Sequence, residues 1–157
     1  MFKYVKHTNY PINISKKDLK MAKYLMTQFG GANGELAAAM RYFSQKFTMP
    51  DDKGKSLLND IATEELGHCE MIATMVNQLT KNASVKELEE AGLASYYADH
   101  NKGIYPVDAS GVPFTANYFV VIADPIADLT EECLRQREVV HFNRFKELYE
   151  YYKSKGY

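Results

Sequence analysis

The sequence predicts an all-α fold, a helix bundle with one long irregular crossover loop, and three observations carry that prediction. Apolar residues recur at three- and four-residue steps along most of the chain. Glycine and proline gather between those stretches, and none lies between Ile126 and Lys155. Two of the helical stretches carry a Glu-x-x-His pair in register with their apolar residues, Glu65 to His68 and Glu138 to His141.

Residues 1–15 read as an extended arm, with Pro11 and alternating Ile12 and Ile14, ending at Ser15 or Asp18 as the helix N-cap. Leu19, Ala22, Leu25, Met26 and Phe29 then repeat at helical spacing. Gly30, Gly31 and Gly34 interrupt the pattern, either ending the helix or letting a neighbour approach one long helix. Leu36, Met40, Phe43 and Phe47 resume the stripe, and Glu35, Ala39 and Tyr42 border it on one face. Met49 to Gly54 is rich in turn residues, so the helices on either side are expected to be neighbours. The next helix carries Leu58, Ile61, Glu65, His68, Ile72, Met75 and Leu79 on one face.

From Thr80 to Pro113 a short helix at Val85–Ala91 is followed by glycines, prolines and tyrosines, a connection long enough for a crossover or a functional cap. His100, there, and His7, in the arm, read as surface or packing histidines. A last helical region is expected from Thr115, kinked or restarted at Asp124-Pro125 and continuing towards Tyr152, with Leu134, Glu138, His141, Phe145, Leu148 and Tyr152 as its stripe.

The chain has 157 residues and a net charge of −1 with no single-sign run, which predicts one domain over residues 1–157 and argues against nucleic acid as a partner. The residues after Met1 form no apolar signal region, and no stretch is long enough to cross a bilayer, so the expected location is cytoplasmic with no membrane partner. Cys69 and Cys133 form no CxxC pair and read as reduced core thiols. Twelve tyrosines and no tryptophan hint at oligomerisation.

A carboxylate and an imidazole facing a core cost several kcal/mol unless something pairs with them, and a metal satisfies both in dimetal carboxylate bundles. Two such pairs among four histidines, with Glu35 on a third core face, point to a metal cage. The competing reading is two buried polar couples without metal. Oxygen and imidazole donors suit manganese, iron or zinc.

The runs Gly30–Tyr42, Thr63–Met75, Gly111–Thr115 and Arg137–Phe142 closely resemble the manganese catalases, in particular their short spore-coat form. The resemblance covers nearly the whole chain. It implies a ferritin-like bundle with two manganese ions, hydrogen peroxide as substrate, a homo-oligomer, and a cytoplasmic or spore-coat setting with other coat proteins as partners. It makes Glu35 the terminal carboxylate of the first metal, Glu65 the carboxylate bridging both, His68 the imidazole of the first and His141 that of the second. Glu138 resembles an acid/base beside the metals and Tyr42 an outer hydrogen-bond donor, both part of the catalytic machinery.

After Ala127-Asp128-Leu129 this sequence falls roughly four heptads short of the family pattern, enough to remove most of one helical leg. The family's carboxylate on that leg has no match, and Gln136 stands at its offset. The expected outcome is three helices per chain, the last running unbroken over Ile126–Tyr152 and exchanged between two chains, with Glu131 as the substitute ligand. Three functions fit: a dimanganese catalase, a spore-coat component with a vestigial metal site, and a rubrerythrin-like iron oxidase or peroxidase. The last lacks the CxxC pair of a rubredoxin-like centre.

Overall fold

A computed structural model describes residues 11–93, 107–118, 121–135 and 138–157. Every named element among them is helical, and the one β feature is an isolated bridge between Val107 and Pro113. The chain divides into two compact units, Met1–Leu36 with Leu66–Phe114, and Ala37–Glu65 with Thr115–Tyr157.

The first unit begins with α1, Leu19–Gly30, capped by Asp18, whose side chain accepts from the Met21 N–H. The helix ends at the glycines, which decides between the two readings of Gly30 to Gly34. A Cβ on Gly31 would lie 2.6 Å from the Thr27 carbonyl oxygen, and one on Gly34 2.6 Å from that of Gln28. Only a residue without a side chain lets the turn fold so closely onto the last turn of α1. Ala22 and Met26 pack with Val76 and Leu79 from the far half of α3, Asp52–Leu79, and with Leu88 of α4, Val85–Glu90. A capping box between Ser84 and Glu87 starts α4.

The second unit holds α2, Glu35–Gln45, from Ala37 onward, the near half of α3, and two helices at the C-terminal end, α5, Pro125–Arg135, and α6, Val139–Lys155. Its core joins Ala38 and Tyr42 of α2, Leu58, Ile61 and Ala62 of α3, Leu129 of α5, and Phe145, Leu148 and Tyr152 of α6. The α2 stripe differs from the expectation: Ala37, Ala38, Ala39, Arg41, Tyr42 and Gln45 are buried, whereas Phe47 is 77% exposed. Phe47 lies on a 3-10 turn at Lys46–Thr48, where the α-helical register no longer holds.

The end of the chain corrects three expectations. No helix starts at Thr115; a 3-10 turn at Ala116–Tyr118 precedes α5, which opens at Pro125 with the Asp124 carboxylate accepting from the Ala127 N–H. The unbroken Ile126–Tyr152 helix is absent, because α5 and α6 are separate and pack against each other. Leu129 and Phe145 are 16 residues apart and would stand about 24 Å apart on one helix. Both lie in one core, and only a chain that turns back can bury them together. Leu134, assigned to the stripe, is therefore 84% exposed. With the hairpin closed inside the chain, the reason for exchanging helices between chains is gone.

Candidate metal centre

Helix α3 carries Glu65 and His68 one turn apart. In the first unit His68 is half-buried and its Nδ1 lies 3.6 Å from the Glu35 carboxylate, at the first position of α2. A carboxylate there also meets the positive end of the helix dipole.

In the second unit Glu65 is buried, and His141, on the first turn of α6, is 1% exposed. His141 Nδ1 lies 3.0 Å from Glu65 Oε1 and 3.4 Å from Glu138 Oε2. One donor atom from each of Glu65, Glu138 and His141 lies within 4.8 Å of the others. His141 Nδ1 thus has both carboxylates within 3.4 Å, and carboxylate oxygens with an imidazole nitrogen are a donor set that divalent ions take. Glu138 departs from the expected helical stripe: it is the extended N-cap of α6, and its side chain is 41% exposed. The helix starts after it, so its carboxylate leans along the first turn towards His141 from the solvent side.

Tyr42 is buried against Phe145, ring centroids 5.2 Å apart, with the Arg41 guanidinium 5.6 Å from its ring centre. Burial, then the negative charges of Glu132 and Glu65, push its phenol well above its ordinary value. It keeps its proton and so stays able to donate a hydrogen bond, while its oxygen accepts from Arg41. His141 is also raised: burial works against its charged form, and the hydrogen bonds to Glu65 and Glu64 outweigh that.

Several polar residues beside this cluster were not singled out from the sequence. Glu64 Oε2 is 2.8 Å from His141 Nε2 and accepts from Arg144 Nη1 at 3.0 Å, and Arg144 also pairs with Asp60. The signal was spacing: Asp60 and Glu64 are four apart on α3, and His141 and Arg144 three apart on α6. Glu131, the expected substitute ligand, belongs to neither donor cluster, whereas its neighbour Glu132 is fully buried and held by Arg41 and Gln45. Gln136, His7 and His100 lie outside the described residues.

The sequence model of the manganese containing catalases matches residues 1–150. The chain belongs to that family. Protein CotJC of Bacillus subtilis (strain 168) is 43% identical over 98% of this chain and 96% of its own length. That alignment spans 182 positions, so at least 25 of them have no counterpart among these 157 residues. A probable manganese catalase of Clostridium acetobutylicum is 37% identical over 96% of this chain, and a manganese catalase of Bacillus subtilis 36% over 82%. The chain spans only 65% and 52% of their respective lengths. Among solved structures, KatB, a manganese catalase from Anabaena, superposes with a TM-score of 0.74 at 28% identity, covering 99% of this chain and 76% of KatB. The fold of this manganese catalase relative is thus the ferritin-like helix bundle of its family. Among the described residues no helix is long and apolar enough to cross a membrane.

Proposed function

We propose that this chain is a dimanganese catalase-like protein that converts two molecules of hydrogen peroxide into two of water and one of oxygen. The observation that carries the reading is the convergence of Glu65, Glu138 and His141 donor atoms in a member of this family. Glu35 and His68 would hold one ion, and Glu65 and His141 another. Two manganese ions, when bound, supply a two-electron couple that one peroxide fills and the next empties.

The chain's own residues handle protons and orientation. Glu138, exposed on one side and facing the cluster on the other, takes a proton from the incoming peroxide and gives it to the departing water. Tyr42, held in its protonated form by burial and by the charges of Glu132 and Glu65, is the outer hydrogen-bond donor of the site. The protein is proposed to assemble with copies of itself, in the cytoplasm or on the spore coat.

A second reading has its own support. The chain covers nearly all of CotJC and much less of the relatives named as catalases. It then serves as a coat component whose metal site is vestigial. Metal content and oxygen evolution from peroxide, measured on the same sample grown with manganese, separate the two. The catalase reading expects near two manganese ions per chain and evolution abolished in Glu65→Ala. Substoichiometric metal without oxygen would leave the coat reading, and iron in place of manganese would indicate the iron oxidase or peroxidase alternative.

A further inference from the structure

His141 is gripped on both edges. Its Nδ1 faces two carboxylates, the proposed ligand Glu65 at 3.0 Å and the proposed acid/base Glu138 at 3.4 Å. Its Nε2 faces Glu64 at 2.8 Å, and that same Glu64 oxygen accepts from Arg144 Nη1 at 3.0 Å. Arg144 is in turn anchored to Asp60, one helical turn before Glu64.

A neutral imidazole carries one N–H, and the nitrogen that carries it cannot bind a metal. With a carboxylate on each edge, two tautomers compete. If the proton sits on Nδ1, His141 and Glu65 satisfy each other and both are lost as ligands. If it sits on Nε2, it points at Glu64, and the Nδ1 lone pair is offered between Glu65 and Glu138. The difference between the edges is Arg144, which holds the Glu64 oxygen in place as an acceptor.

We propose that Glu64, braced by Arg144 and Asp60, is a positioning residue that commits His141 to the Nε2–H tautomer and thereby presents Nδ1 to the ion. This rests on the metal-site reading above but not on catalysis. Glu64 itself does not touch the ion. Its partial exposure also separates it from the core, so its removal changes the imidazole without opening a cavity.

Zinc, which is diamagnetic and redox-inert, is the probe. Its affinity for the full chain is measured by chelator competition in wild type, Glu64→Ala, Glu64→Gln and His141→Ala, with a thermal melt of each. Nitrogen-15 spectra of the zinc-loaded imidazoles report which nitrogen carries the proton. The expected result is a 10- to 100-fold weaker affinity in Glu64→Ala. Glu64→Gln, whose amide oxygen still accepts from Nε2–H, should recover most of it. Wild type should show a slowly exchanging proton on His141 Nε2 that Glu64→Ala loses. A Glu64→Ala variant with wild-type affinity, in a protein where His141→Ala does weaken zinc, would overturn the positioning role alone, as would a wild-type proton on Nδ1. Zinc affinity indifferent to His141→Ala would overturn the metal-site reading and the proposal with it.

Discussion

Tyr152 is fully buried, and its hydroxyl donates to Asp51 Oδ1 at 2.6 Å, while the Gly54 N–H donates to the same carboxylate oxygen at 2.9 Å. A Cβ on Gly54 would lie 2.0 Å from the Tyr152 hydroxyl oxygen, so the bond depends on glycine at that position. The Tyr152 hydroxyl, then the Gly54 amide, hold the Asp51 carboxyl below its ordinary value of 3.8. A carboxylate depressed in the folded state contributes stability that is fully present above its unfolded value and is lost as pH falls through the folded one. Tyr152→Phe should therefore cost about 1 kcal/mol near neutrality and shrink towards no cost in strong acid. Thermal melts of both proteins from about pH 6 to about pH 2.5 check this, and a cost independent of pH would contradict it.

Helices α2 and α5 meet inside the second unit through charge. Arg41 Nε donates to Glu132 Oε1 at 2.8 Å and Gln45 Nε2 donates to the same oxygen at 3.0 Å, all three side chains being buried. Removing one partner strands the other, so Glu132→Ala should lose about 3–5 kcal/mol in denaturant unfolding. The double variant Arg41→Met, Glu132→Leu should recover most of that loss, since two apolar side chains leave no stranded charge. None of this was legible in periodicity, which marks Arg41, Gln45 and Glu132 as polar and hence outward. Periodicity did read α1 and α3, whose buried faces are apolar at regular steps and whose ends carry Asp18 and the glycines, although α3 starts at Asp52, inside the expected Met49–Gly54 turn. It failed at the α5–α6 turn, where no glycine or proline announces a break that the shared core imposes. Of the site residues, Glu35, Glu65, His68 and His141 stood out by type and spacing. The N-cap setting of Glu138 and the role of Glu64 depend on where α6 begins and what faces it, which no local pattern encodes.

At the scale of the molecule, exposed aliphatic side chains gather at the α5–α6 turn: Leu134, Val139 and Val140 are all well exposed, Val139 by 71%. Apolar surface of this kind favours association. Multi-angle light scattering should find an oligomer, and Leu134→Glu with Val139→Glu should shift it towards monomer while leaving the helical content unchanged. A wild-type monomer at every concentration would sink the assembly reading. The 28-residue helix α3 has a different consequence. Its near half packs Leu58 and Ile61 into one core and its far half packs Val76 and Leu79 into another, with Glu65 and His68 at the changeover. Each residue inserted or removed there would turn one half about 100° against the other. Either apolar set would then leave its core, and Glu65 and His68 would no longer share a face. The length of α3 through this stretch is therefore fixed by the two apolar sets it has to serve.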